Sequence, residues 1–239
     1  MGISYLKGQS WNDITREERL FCSHLYHSIL SLLDRKKLIK ELNNIESPTD
    51  SFENKLNLSE DSHWEVGYEV CFYRDLIFKL GRSHEIDSSI RKVNTEREVE
   101  AGEKAGFSEK RTFDLCLFSD DELVIVEAKA YQGLSHKQNN EFKKDVKQIK
   151  QLFNYLKENR ITNLMPKVKL IILASSSYFG SKSFESEHGI GKRFINDKEN
   201  KDYLCGLISW KQISEQLFPC DPIFERADKI YSEKANSKN

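Results

Sequence analysis

The chain has 239 residues, 38% hydrophobic and 31% charged, and its 37 Lys and Arg against 38 Asp and Glu leave a formal net charge of −1. That size supports one large domain, or a core domain with a small extension, around an adequate but not generous core. No stretch approaches the ~20 apolar residues of a membrane span, and the near-neutral total neither favours nor excludes nucleic acid, because a local basic stripe can sit inside it.

The N-terminal Met1-Gly-Ile-Ser-Tyr-Leu-Lys7 has no apolar signal core. Five dispersed cysteines (Cys22, Cys71, Cys116, Cys205, Cys220) form no CxxC pair and no zinc spacing, so they read as reduced side chains in a cytoplasmic setting. A first helix is expected from Leu20, Phe21, His24, Leu25, Ile29, Leu32 and Leu33, capped by Asp13 or Thr15, with Thr15-Arg-Glu-Glu18 fitting a capping box. A polar stretch from Asn43 to Glu60 reads as a linker. A second helix is expected over residues 61–80, stopped by Gly81. Residues 82–110 are charged, with one short strand expected near Ile90 to Val93.

Two strands follow, residues 112–118 and 122–130. The acidic turn Ser119-Asp-Asp121 between them predicts an antiparallel hairpin. A long helix over residues 137–157 has Val146, Ile149, Phe153 and Leu156 as its apolar stripe. Residues 167–174 form an apolar strand suited to the middle of a sheet. A polar loop over residues 175–202, a strand over 203–209 and a short helix over 210–217 complete the order. This is an α/β arrangement with a central mixed sheet flanked by helices.

The chemistry-bearing segment is Asp114, then, after twelve intervening residues, Glu127-Ala-Lys129. Residues two apart on a strand share a face, so Glu127 and Lys129 emerge together while Val124, Val126 and Ala128 pack on the other side. Paired across the turn, the two strands bring Asp114 opposite that end. Two facing carboxylates repel, and a divalent cation relieves the repulsion; carboxylate and water oxygens suit Mg²⁺ or Mn²⁺. Such an ion polarises a phosphoryl group and acidifies water, and Lys129 would stabilise developing negative charge as an ammonium. The plain alternative is an ordinary Glu127–Lys129 ion pair at a strand end.

Asp114, the turn, and Glu127-Ala-Lys129 closing an apolar strand resemble the PD-(D/E)XK nuclease signature. Gln151-Leu-Phe-Asn-Tyr155 on the following helix resembles the QxxxY motif of the RecB-like branch. The resemblance spans residues 61–217 and implies a restriction-endonuclease-like core over residues 61–239, preceded by an N-terminal helical extension over residues 1–60. It also implies Mg²⁺-dependent phosphodiester cleavage, with Mn²⁺ able to substitute and nucleic acid, DNA foremost, as substrate in restriction, repair or defence. Gln151 and Tyr155 would order the lysine or contact the phosphate backbone. Phe113 stands where the family name has proline.

Other branches of the family draw a Glu from the preceding helix. Glu69, in phase with Leu76 and Leu80, is the first candidate to join Asp114 and Glu127 as a metal ligand, with Glu65 second and His63 third. A catalytically inactive member of the same fold, binding nucleic acid or protein and assembling with itself or a partner through the N-terminal helices, is the alternative. His24 and His27 read as ordinary helix residues. Gly189-Ile-Gly191-Lys-Arg193 lacks P-loop spacing but could touch a phosphate backbone. Lys137, Lys143, Lys144, Lys147 and Lys150 form a basic helix face, either solvated or tracking phosphates.

Overall fold

The structure is a computed structural model describing residues 18–82, 84–86, 88, 111–163 and 165–236. The caps expected at Asp13 and Thr15 and the strand expected near Ile90 lie outside those residues. Helices α1 (Glu18–Leu30) and α2 (Arg35–Asn44) precede strand β1 (Glu65–Val70). Strands β2 (Phe113–Phe118) and β3 (Glu122–Lys129) form the hairpin, and α3 (His136–Glu158) crosses over to β4 (Lys167–Ala174). After α4 (Ile190–Asn196) come β5 (Leu204–Ser209) and α5 (Pro222–Asn236).

The five strands lie in the order β1-β2-β3-β4-β5, antiparallel from β1 to β3 and parallel from β3 to β5. The chain is therefore an α/β protein with a mixed five-stranded sheet flanked by helices. No helix among the described residues is long and apolar enough to cross a membrane.

Alternation along the strands builds two cores. Leu123 and Ile125 join Ile149 and Leu152 of α3 on one face. Val124, Val126 and Ala128 join Phe21 and Leu25 of α1, Ile39 of α2 and Phe224 of α5 on the other. Each buried Leu, Ile or Phe contributes about 1.5–3 kcal/mol. Helices α1 and α2 thus lie on the sheet itself.

The helix expected over residues 61–80 is corrected: residues 65–70 are strand β1, and only Phe72–Ile77 coil, as a π-helical turn. Val66, Tyr68 and Val70 alternate in the strand period with β-branched and aromatic residues, and that signal outweighs the spacing of Leu76 and Leu80. Val66 and Tyr68 pack on the α1 side, whereas Val70 packs on the α3 side. The switch falls at Glu69, whose φ of 50° lies in the left-handed region and costs about 1–2 kcal/mol.

Part of the stretch expected as a linker, at residues 54 and 55, lies against the edge strand β5. Asn54 Nδ2 donates to Leu207 O at 2.9 Å and Asn54 Oδ1 accepts from Leu207 N at 2.8 Å, while Lys55 N reaches Cys205 O. An amide side chain thus stands in for a neighbouring strand and blunts the edge. Asn54→Ala should cost about 1–3 kcal/mol, read as a fall in denaturation midpoint, because it leaves both Leu207 groups unpaired.

The apolar strand β4 buries one charged residue. Lys169 is 4% exposed, paired with buried Glu122, and donates to Leu56 O and Asn57 O. The loop expected over residues 175–202 instead coils into short helices around α4. Gly191 lies so close to Phe184 that a Cβ would come within 2.2 Å of its ring, so this glycine has a packing reason.

Candidate active site

Register sets the geometry. Leu115 pairs with Val126 and Cys116 with Ile125, which places Asp114 opposite Glu127 at the end of the hairpin. Asp114 Oδ2 accepts from Ala128 N at 2.8 Å. Glu127 and Lys129 continue the face of Leu123 and Ile125, and both are buried, at 4% and 9% exposure. Buried charges in an apolar run are tolerated only with partners.

Lys129 Nζ lies 2.9 Å from Glu127 Oε1 and 3.8 Å from Glu18 Oε2. The backbone of the same strand end is pinned twice: Trp210 Nε1 donates to Lys129 O at 3.1 Å, and Ala130 N donates to Glu18 Oε1 at 3.0 Å. Glu127 Oε1 also accepts from Gln138 Nε2 at 3.2 Å. On its other side Glu127 Oε2 faces Arg111 Nη2 at 3.8 Å, and that guanidinium is bound to buried Asp145.

The electrostatics follow from crowding. Burial first, then the facing Glu127, push the Asp114 carboxyl up to about 7. Burial likewise lifts Asp145 to about 6, against the pull of Arg111. Burial alone would lower Lys129, but Glu127 and Glu18 outweigh it and hold the amine above its ordinary value. Lys129 is therefore an ammonium, suited to stabilising negative charge and not to accepting a proton. Three carboxylates, Asp114, Glu127 and Glu18, surround this one ammonium, and a dication would relieve the excess. Among the described residues, however, no three His, Cys, Asp or Glu side chains converge closely enough to hold a metal.

Asp114, Glu127 and Lys129 are thus brought together. Glu69 is not part of the same cluster: by register it falls opposite Asp114, between the pairs Tyr68–Leu115 and Val70–Phe113, but its carboxylate meets Arg19 Nε at 3.4 Å. Glu65 and His63 sit at the other end of β1, bonded to each other at 2.8 Å, four residues or about 13 Å along the strand from Glu69. Gln151 and Tyr155 lie far down α3; Gln151 is thirteen residues, about 20 Å of helix, beyond Gln138. Tyr155 donates to Glu85 at 2.9 Å, and Gln151 Oε1 is buried with no hydrogen-bond partner among the described residues.

Sequence reasoning missed Glu18 and Gln138. The Thr15-to-Glu18 pattern marked only a helix start, yet the acid in the first turn of α1 reaches the lysine. Gln138 closes a capping box with Ser135 and also donates to Glu127. His24 pairs with Asp221 at 2.7 Å against the Phe224 ring. Of the α3 lysines, Lys143 is taken by Asp197 and Glu199, and Lys137 by Glu141. Cys22, Cys71, Cys116 and Cys205 are buried free thiols, and Cys220 is an exposed one.

Comparison of the chain with protein-family models, with curated proteins and with solved structures found no match. The class that the fold and the site define is therefore an α/β protein with a buried carboxylate–ammonium cluster at one end of a mixed sheet.

Proposed function

We propose that the protein is a metal-dependent nuclease of the PD-(D/E)XK type, hydrolysing phosphodiester bonds in nucleic acid, with DNA the expected substrate. The observation that carries the reading is the placement of Asp114 opposite Glu127 with Lys129 in the same buried cluster. Three antiparallel strands followed by a crossover helix into a parallel strand support a restriction-endonuclease-like core.

Asp114 and Glu127 would hold Mg²⁺ or Mn²⁺, consistent with hard oxygen donors and with an Asp114 carboxyl that burial and its neighbour keep reluctant to ionise. When bound, the ion supplies neutralising charge at the phosphoryl group and acidifies the attacking water. The protein's own groups do the rest. Lys129 offers a fixed ammonium to the charge building on the phosphoryl oxygens. Gln138 and Arg111 hold the orientation of Glu127, and Glu18 holds that of Lys129.

The test is cleavage of labelled single- and double-stranded DNA and RNA by the purified chain in Mn²⁺ against chelator. Cleavage of none of them would sink the reading. Gln138→Ala should lower activity or metal affinity by about 10–100-fold, as loss of an outer partner of a ligand does.

One observation favours the alternative of an inactive binding module: Glu127 and Lys129 satisfy each other, and among the described residues no three His, Cys, Asp or Glu side chains are arranged to hold a metal. A Mn²⁺ titration separates the two. A catalytic site binds the ion and loses it in Asp114→Asn; an inactive module binds none.

A further inference from the structure

We infer that Arg111 is the phosphate-binding residue of this site, its guanidinium taking a nonbridging oxygen of the substrate strand, and that Asp145 is the positioning residue that aims it. The inference rests on the nuclease reading for the identity of that phosphate, but the anion site stands on its own geometry.

Arg111 lies two residues before the start of β2 and three before Asp114. Its Nε donates to Asp145 Oδ2 at 2.9 Å, and its Nη2 lies 2.8 Å from the same oxygen. Its Nη2 also lies 3.8 Å from Glu127 Oε2, and the guanidinium carbon sits 5.0 Å over the Phe113 ring centroid. One edge and one face of the fork are thereby fixed. Nη1 makes no hydrogen bond to any described residue.

Exposure is asymmetric. The Arg111 side chain is 30% exposed, whereas its partners Asp145 and Glu127 are 10% and 6% exposed. Two nearly buried carboxylates therefore hold an arginine that itself keeps 30% exposure. An arginine offers five donors in a planar fork, and here the two on Nη1 are left for a phosphate oxygen. Lys129 cannot take this part as freely, because Glu127 and Glu18 already surround its ammonium. The site thus divides its cations: a buried ammonium at the carboxylates, and a guanidinium at the mouth, aimed by a carboxylate on α3. An isolated structural ion pair would need neither the approach to Glu127 nor an Nη1 without a bond among the described residues.

The experiment compares the full chain with Arg111→Met, Arg111→Lys and the double variant Arg111→Met/Asp145→Leu. Binding of a fluorescein-labelled oligonucleotide is measured in Ca²⁺, thermal shift is measured with inorganic phosphate in Mg²⁺, and cleavage is measured in Mn²⁺. Arg111→Met should weaken oligonucleotide binding about tenfold, lower the salt dependence of binding by about one ion, and abolish the phosphate-induced shift. Its kcat/KM should fall by about 10²-fold, with Arg111→Lys between, since a lysine keeps the charge and loses the fork.

Arg111→Met strands the buried Asp145 and lowers stability, so the double variant is decisive: it should recover the melting temperature without recovering binding or cleavage. Recovery of binding and cleavage along with stability would make Arg111 purely structural and overturn the inference. Wild-type-like cleavage by Arg111→Met would also overturn it, with the nuclease reading intact. If the wild type cuts nothing yet shows an Arg111-dependent phosphate shift, the nuclease reading fails and the anion site stands. If the wild type binds neither oligonucleotide nor phosphate, the inference fails.

Discussion

Lys129→Ala should reduce cleavage by about 10²–10³-fold while leaving Mn²⁺ binding intact or tighter. The rate loss is the size expected when one fixed donor to a developing oxyanion is removed from a water-poor site. The binding outcome follows from the charges. In the wild type the ammonium lies 2.9 Å from Glu127, so an incoming dication competes with it for that carboxylate. Without it, Asp114, Glu127 and Glu18 face one another with their nearest ammonium gone. The variant should consequently melt earlier in chelator, because breaking a buried pair on one side leaves an uncompensated charge. Mn²⁺ should restore much of that loss, since binding to the folded state alone stabilises it by mass action. Calorimetric Mn²⁺ titration and single-turnover cleavage of a labelled oligonucleotide measure the two halves separately. Undiminished cleavage would remove Lys129 from the chemistry, and loss of Mn²⁺ binding would mean that the lysine organises the carboxylates and does not compete with the ion.

The parts of this site that were legible in the sequence are those fixed by local alternation. In the hairpin, Leu123 and Ile125 face α3, Val124 and Val126 face α1, and Glu127 and Lys129 must continue the first set because the strand period leaves no other choice. The turn at residues 119–121 then sets the register that brings Asp114 opposite Glu127. Strand β4 was legible from its continuous apolar run, apart from Lys169, whose burial depends on Glu122 and on carbonyls from residues 56 and 57.

What could not be read depends on docking between distant segments. Glu18 reaches Lys129 only because Phe21, Cys22 and Leu25 seat α1 against the sheet. The choice between Gln138 and Gln151 turns on which end of α3 begins at the site. That is set by the 130–135 connection, where Gly133 passes against the Tyr178 ring and Leu134 N donates to the Tyr178 hydroxyl. Neither residue of the QxxxY resemblance carries that information. Helix α5 was a different kind of miss, because its signals were local: Pro222 opens it, with Phe224, Ala227 and Ile230 at helical spacing behind.

Asp114→Asn should abolish cleavage and Mn²⁺ binding yet stabilise the protein in chelator, by about 2–4 kcal/mol at pH 8. The gain comes from proton linkage. The Asp114 carboxyl, ordinarily near 3.8, is held at about 7 in the folded chain, first by burial and then by Glu127. Between those two values the folded state keeps a proton that the unfolded state has released, so stability falls as pH rises through that window, by about 1.4 kcal/mol for each unit of separation. Asparagine keeps an oxygen to accept from Ala128 N and removes the charge, so it retains the hydrogen bond without the penalty. Asp145, lifted to about 6, contributes a slope of the same sign that the variant keeps, and its stability curve should be flatter than the wild type's without becoming level. Urea denaturation from pH 4 to pH 8 in chelator checks the slope, and repetition with Mn²⁺ checks its origin: the ion should raise wild-type stability most at high pH and leave Asp114→Asn unmoved. A wild-type curve that rises with pH, or a variant less stable at pH 8, would show that Asp114 is content as a carboxylate. The electrostatic case for a cation at this hairpin would then be lost.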